Sequence, residues 1–151
     1  MEIFDLKDKQ DYLKEVMELE LMEWSSDPIT DKEKKIEKKI NKYFQYVDDQ
    51  SFCKLILLDE DNLVGFISIF PHDDDVEVEL SPWYATMYVK KEYRGQGCSR
   101  ILNDAILDEA RKRGFNEIYL KTELNNYYEK FGAVFIKMLN DTEKLLKFEL
   151  Y

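Results

Sequence analysis

The stretch Tyr93-Arg94-Gly95-Gln96-Gly97-Cys98-Ser99 decides how this chain is read. It follows a strand-like run, Trp83-Tyr84-Ala85-Thr86-Met87-Tyr88-Val89, and opens a helix-like run from Arg100 to Arg113. A glycine-interrupted turn between a strand and a helix start leaves several backbone N–H groups without partners and pointing one way. With the positive end of the helix dipole, those donors make an anion site. Glycine lets the backbone approach the anion with no Cβ between them. The ligand this predicts carries a phosphate or pyrophosphate. Two familiar nucleotide loops are set aside. No G-x-x-x-x-G-K-S/T is present, and a G-x-G-x-x-G fingerprint would need a glycine where Arg100 stands.

Arg94 to Ser99 resembles the pyrophosphate loop of the GNAT N-acetyltransferase superfamily, Q/R-x-x-G-x-G/A. Its first, fourth and sixth places fall on Arg94, Gly97 and Ser99, the serine departing from the usual Gly or Ala. Downstream, Asn126-Tyr127-Tyr128-Glu129-Lys130-Phe131-Gly132 looks like the family's short fourth helix, F-Y-E-K-x-G-F. Upstream, Leu80-Ser81-Pro82-Trp83 followed by Tyr88-Val89 resembles the strand that lines the acyl-CoA arm. The resemblance covers roughly Leu80 to Ala133, with Ala133 standing where the family prefers an aromatic. The N-terminal half matches only in its pattern of elements.

The resemblance implies acetyl-CoA as co-substrate, no metal, and transfer of acetyl to a primary amine of a small molecule or protein. It places the pyrophosphate on Arg94, Gly95, Gln96, Gly97, Cys98 and Ser99. It places the pantetheine arm and the thioester carbonyl on backbone groups of Met87, Tyr88 and Val89, freed by a bulge that splays two parallel strands. Asn126, at the head of the short-helix motif, joins the cofactor-binding set. Such a transfer requires an acceptor that loses a proton, a donor to the carbonyl oxygen, and protonation of the departing thiolate. By resemblance Tyr128 is the general acid beside the sulfur, and a phenol of pKa ~10 is protonated at neutral pH as that role needs. Tyr127 is assigned to packing. For the general base the candidate is Glu79, with Glu77 behind it, although alternating glutamates also suit a solvated strand face. A different class, a non-catalytic acyl-CoA-binding sensor or subunit with the same fold, would not need to keep Tyr128 or a complete loop.

Composition bounds these readings. The 151 residues are enough for one domain with a real core and too few for two ordinary ones, so residues 1–151 are read as a single domain. A hydrophobic content of 44% with 36% charged residues is globular. No run approaches the ~18 apolar residues of a membrane span, and the acidic start Met1-Glu2-Ile3-Phe4-Asp5 lacks the order of a signal peptide. Cys53 and Cys98 form neither a disulfide framework nor a metal spacing, so reduced thiols in a cytoplasmic protein are expected. The 32 acidic against 22 basic residues leave a net charge of −10, which argues against nucleic-acid binding. Binding polyanionic CoA then needs a local reversal of the field at Arg94, helped by Lys90, Lys91 and Arg100. The acidic remainder would draw in a cationic acceptor, or serve solubility alone.

Helical spacing of Leu13, Val16, Met17, Leu21 and Trp24 predicts an amphipathic helix over Asp8 to Trp24, ended by Ser25-Ser26-Asp27-Pro28. Thr30-Asp31-Lys32-Glu33 reads as a capping box opening a second helix, with a core stripe of Ile36, Ile40, Tyr43, Phe44 and Val47. Phe52 to Leu58 and Leu63 to Phe70 predict a hairpin around a polar four-residue loop. His72-Asp73-Asp74-Asp75 reads as a solvated acidic turn, and Val76 to Leu80 as an alternating strand that Pro82 bends or breaks. After the loop, a helix burying Ile101, Leu102, Ala105, Ile106 and Ala110 stops at Gly114. Ile118 to Lys121 is a strand, Asn125 to Phe131 a short helix ended by Gly132, and Val134 to Met138 with Lys144 to Leu150 a closing antiparallel pair. Cys98 is expected to fill a packing slot. The order α-α-β-β-β-α-β-α-β-β gives an α/β layered domain, a mostly antiparallel sheet with one parallel β-α-β crossover at the loop. The GNAT fold has that order, and a strand around Glu2 to Phe4 would complete it.

Overall fold

A computed structural model of the chain describes residues 1–25, 30–72 and 79–151. The chain enters on β1 (Glu2–Asp5), the short strand expected at the N-terminus. Helices α1 (Leu13–Trp24) and α2 (Lys32–Tyr46) follow, then strands β2 (Cys53–Asp59), β3 (Asn62–Phe70) and β4 (Trp83–Val89). Helix α3 (Cys98–Lys112) crosses over to β5 (Glu117–Thr122), and β6 (Val134–Met138) and β7 (Lys144–Glu149) come last. The strands form one seven-stranded sheet in the order β1-β2-β3-β4-β5-β7-β6. Neighbours are antiparallel except β4 and β5, which the α3 crossover makes parallel, as expected.

Strands β2 and β3 read as nearly continuous apolar runs because both faces of the sheet are covered. Helix α3 packs Leu102, Ile106 and Ala110 with Leu55, Leu57 and Ile67 on one face. Helices α1 and α2 pack Val16, Met17, Ile36 and Tyr43 with Ile56, Leu58 and Phe66 on the other. Full burial of each such Val, Leu, Ile or Phe contributes about 1.5–3 kcal/mol, so these two layers dominate stability.

Several local expectations are corrected. Helix α1 begins at Leu13 rather than Asp8; two 3-10 turns, Leu6–Asp8 and Gln10–Tyr12, precede it, separated by Lys9 at φ −139°, ψ 52°. Leu6, fully buried in the first turn, fixes that path by packing where periodicity alone suggested continuous helix. The capping box does not form. Asp31 is the N-cap, in the left-handed region at φ 52°, and its side chain makes no cap bond. An N-cap side chain reaches the first amides from extended backbone, which Asp31 lacks. Ion pairs to α1, Lys32–Glu18 at 2.8 Å and Lys14–Glu33 at 3.4 Å, tie down that end of α2 instead.

The hairpin loop is tighter than expected, because Asp59 pairs with Asn62 and leaves Glu60 and Asp61 as the turn, Glu60 at φ 56°. The helix expected over Asn125 to Phe131 shrinks to a single 3-10 turn, Glu129–Phe131, closed by Gly132 at φ 104°. Asn126, at φ 59°, is left-handed and cannot continue a right-handed helix. Phe44, Trp24 and Ile101, expected in the core, are exposed. The strand expected over Val76 to Leu80 and the acidic turn at Asp73 to Asp75 fall mainly on residues 73–78, outside the described residues, as does Glu77. Glu79 lies in a turn, and β4 begins at Trp83.

Candidate functional site

The site begins with a defect in pairing. Phe66 faces Tyr88 and Ser68 faces Ala85, so Thr86 and Met87 of β4 together oppose Ile67 alone. Such a bulge bends and twists its strand. Thr86 takes φ 53°, unusual for a β-branched residue. On its other side β4 meets β5 at Trp83 and Tyr119, with the Tyr119 N–H donating to the Pro82 carbonyl at 3.0 Å. No further β4–β5 pair forms among the described residues, so the two parallel strands part beyond that point.

Two clefts open beside the parted strands and share Met87 and Tyr128. The first, about 740 Å³, runs from Met87, Tyr88 and Val89 along the loop to Tyr127, Tyr128 and Phe131. The second, about 420 Å³, is bounded by Trp24, Thr86, Leu120 and Lys121.

The loop leaves its backbone amides open. Gly95 (φ 78°) and Gly97 (φ 82°) are both left-handed, and a Cβ on either would find nothing within 4 Å, so the backbone faces open space. Among the described residues, the N–H groups of Gly95, Gln96 and Gly97 donate to no other part of the backbone. Gly97 is the N-cap of α3 and supplies no side-chain cap, and the first turn of α3 carries no acid. Its leading amides and its dipole are therefore left for a ligand. Arg94, Arg100 and Lys130 line the same cleft, against Glu23 alone of the described carboxylates, which reverses the −10 field where a polyanion would lie. Arg94 is held by its Nε–H donating to the Val89 carbonyl at 2.9 Å and by the Tyr88 ring. Arg100 and Lys130 lie over the Phe131 ring. Of the other cations expected to help, Lys90 is engaged by Glu15 at 2.6 Å, and Lys91 lines neither cleft.

Tyr128 stands where the clefts meet. Its ring meets Tyr84 edge-on at 5.6 Å and Tyr127 at 4.8 Å. Burial pushes its hydroxyl up to about 12, so it is a phenol across the working pH range. Tyr84 behind it donates to Asn103 Oδ1 at 2.8 Å, and burial raises its pKa well above the ordinary value. Tyr127 packs between Tyr128 and Phe131, beneath the Lys130 ammonium.

The structure thus brings Met87, Tyr88, Val89, Arg94, Gly95, Gly97, Cys98, Ser99 and Tyr128 to one cleft. Gln96, Asn126 and Glu79 line neither cleft. All three are exposed, and Gln96 donates its amide to the Glu92 carbonyl. Cys98 is buried, its thiol within 3.6 Å of the Tyr93 carbonyl oxygen, which is the packing role expected. The second cysteine, Cys53, is also a free buried thiol. His72 is exposed. Sequence reasoning missed Glu23 and Trp24, assigned to the end of a core helix, and Lys130, read only as a motif letter. For Glu23 and Trp24, an aromatic and an acid side by side at a helix stop are the signal that could have found them.

The parted parallel strands and the glycine loop after β4 leave an open helix N-terminus at the mouth of a cleft on an α/β sheet. The family model for the GNAT acetyltransferases matches residues 13–133, and the chain belongs to that family. N-alpha-acetyltransferase 30 of Schizosaccharomyces pombe is 33% identical over 102 residues, 64% of this chain and 67% of that protein. Human N-acetyltransferase 8 is 29% identical over 77 residues, 51% of this chain but only 34% of that protein. In fold, the chain matches an aminoglycoside 6'-N-acetyltransferase solved with coenzyme A at a TM-score of 0.74 and 16% identity, covering 100% of this chain and 98% of that one.

Proposed function

We propose that the chain is an acetyl-CoA-dependent N-acetyltransferase, a single domain over residues 1–151, acting by direct attack of an amine on the thioester. The observation that carries this reading is the meeting of the two clefts at Met87 and Tyr128. In it, the first cleft takes acetyl-CoA, its pyrophosphate on the amides of Arg94 to Ser99 and its arm along Met87 to Val89. The second takes the acceptor. The thioester then lies at the junction, where Tyr128 protonates the departing thiolate. Binding both reactants against one another removes translational freedom before reaction, a large part of the rate gain such enzymes need.

The acceptor is a primary amine of a small molecule or a protein. The names of the relatives, an N-alpha-acetyltransferase and an aminoglycoside acetyltransferase, support an amine without choosing between these. The net charge of −10 supports a cationic one. Among the described residues no helix is long and apolar enough to cross a membrane, and the two free thiols support a cytoplasmic setting. Glu79, placed outside both clefts, would serve as base only through water.

The test is a thermal-shift comparison of acetyl-CoA, CoA and ATP, followed by thiol release from acetyl-CoA over a panel of amines. Stabilisation by acetyl-CoA with amine-dependent thiol release is expected. Stabilisation without release on any amine would make the chain a binding module, and no stabilisation would remove the CoA reading.

A further inference from the structure

A buried charge sits behind the second cleft. Lys54 stands in an apolar strand and is 1% exposed, its Nζ 2.7 Å from Glu20 Oε2 on α1. Glu20 Oε1 is also 3.0 Å from Lys39 Nζ on α2. Burial disfavours the Glu20 carboxylate, but Lys54 and Lys39 outweigh it and hold its pKa below the ordinary value. Lys54 is therefore the ammonium of an ion pair and donates every bond it makes. Desolvation makes a buried pair of this kind a poor source of stability, whereas its ammonium orders the groups it touches.

Its second bond goes to Ser68 Oγ at 2.6 Å, and Ser68 Oγ is 2.7 Å from the Thr86 hydroxyl oxygen. Lys54 and Ser68 are direct cross-strand partners on β2 and β3, and the β4 bulge, with Thr86 at φ 53°, brings Thr86 beside them. Ser68 is fully buried, and among the described residues its hydroxyl has no other hydrogen-bond partner. A donor-only ammonium at one end fixes the direction of the line. Ser68 accepts from Lys54, so its own proton goes to Thr86. Pointed the other way, that proton would be left buried without an acceptor, at a cost greater than the bond is worth. Thr86 then accepts from Ser68 and keeps its own proton to give. No described group takes it, since the Lys54 nitrogen, 3.5 Å away, is itself a donor. Thr86 is partly exposed and lines the second cleft but not the first. Of the two other hydroxyls in that cleft, Tyr84 donates to Asn103 Oδ1 and Tyr128 is shared with the first cleft.

We propose that Thr86 is a specificity-determining residue whose hydroxyl donates to an oxygen flanking the amine of the acceptor. The acceptor is then an amine with a carbonyl or hydroxyl beside it, rather than a plain alkylamine. The inference rests on the acetyltransferase reading, with the acceptor in the second cleft. The attacking nitrogen is not what Thr86 binds. As an ammonium it has no lone pair, and as a free amine it needs that lone pair for the thioester. A neighbouring oxygen has lone pairs to spare. The bond to it is strengthened along the line, since the Lys54 charge polarises Ser68 and Ser68 polarises Thr86. The first carbonyl of a peptide and a ring hydroxyl of an amino sugar both offer such an oxygen.

The test measures thiol release from acetyl-CoA with matched amines, alaninamide against sec-butylamine and glucosamine against cyclohexylamine, in parent, Thr86→Val and Thr86→Ser. Each amine is compared with itself across the three proteins, so differences in amine pKa cancel. In the parent, the oxygen-bearing member of at least one pair should have the higher kcat/KM, and which pair shows it tells carbonyl from hydroxyl. In Thr86→Val that kcat/KM should fall about 10- to 100-fold, the worth of one charge-assisted hydrogen bond, while the oxygen-free member changes by less than about twofold. Thr86→Ser keeps the hydroxyl and should keep most of the parent's preference. An equal fall for both members would make Thr86 merely structural, and no fall for either would remove the donor. Either result overturns the proposal, as does a parent that prefers the oxygen-free amines. Should Thr86→Val lose the acetyl-CoA thermal shift that reports its folding, Thr86→Ala must show the same selective fall or the proposal fails. A parent that transfers to no amine overturns the acetyltransferase reading itself, and the role of Thr86 with it.

Discussion

Gly97 separates the charge logic of the loop from its backbone logic. It sits at φ 82° as the N-cap of α3, and a Cβ placed on it meets nothing within 4 Å. Gly97→Ala therefore costs conformational strain without a clash. The left-handed region costs an L-residue about 1–2 kcal/mol. For a chain of this size that is a fall in Tm of about 2–8 °C. Gly97→Asp meets the same strain, but aspartate tolerates the left-handed region better than alanine and is favoured beside a helix N-terminus. The ligand-free Asp variant should be at least as stable as the Ala variant.

Binding should order the other way. A carboxylate about 5 Å from a phosphate charge, at an effective dielectric of about 20, is opposed by about 3 kcal/mol for each charge. That is more than 100-fold in Kd. At 100 times its Kd, acetyl-CoA adds about 2.7 kcal/mol to the parent's stability. The same concentration should shift Gly97→Ala nearly as far and Gly97→Asp hardly at all. Scanning fluorimetry with and without acetyl-CoA, and calorimetric titration of all three proteins, reads this directly. A folded Gly97→Asp protein with the parent's affinity would refute the placement of the pyrophosphate.

Other expectations follow from the same geometry. Gly65→Ala would put a Cβ 2.3 Å from the Tyr88 carbonyl oxygen, with Leu102 and Val89 also close, so β4 must move. A loss of about 1–3 kcal/mol or more is expected in urea unfolding, and an unchanged midpoint would show that the β3–β4 approach is looser than described. Tyr128 titrates near 12, so activity should rise with pH as the acceptor loses its proton and should show no descending limb below about pH 10. A limb near pH 8 in kcat would deny Tyr128 the acid's role. With a net charge of −10, kcat/KM for a multiply charged amine should fall on adding salt and fall further in Glu79→Gln. A preference for anionic acceptors, with salt raising the rate, would defeat that steering.

The third of the chain from Trp83 to Gly132 was largely legible because most of its signals are local. Glycines at 95 and 97 dictate a loop, and Gly114 and Gly132 mark ends, so the crossover and the loop that opens α3 could be placed from sequence. What escaped depends on distant contacts. Lys54 lies in an apolar run and is nonetheless fully buried, stabilised by Glu20, which is 34 residues away. Nothing in either residue's neighbours announces the pair. Trp24 carries the spacing of a core residue but ends its helix at the rim of the second cleft, touching Phe66 and Tyr88 edge-on. The capping box at Thr30 fits the motif in letters but not in backbone, because Asp31 turns left-handed.

The central claim is that Tyr128 acts on acetyl-CoA at the junction of the two clefts, and single-turnover transfer by Tyr128→Phe tests it most directly. The phenylalanine keeps the edge-on packing against Tyr84 and Tyr127 and loses only the hydroxyl. With acetyl-CoA saturating and the acceptor in excess, the chemical step should slow by about 100-fold, while the Kd for acetyl-CoA measured on the same protein stays within about twofold. A Tyr128→Phe protein that transfers acetyl at the parent's single-turnover rate would contradict the account.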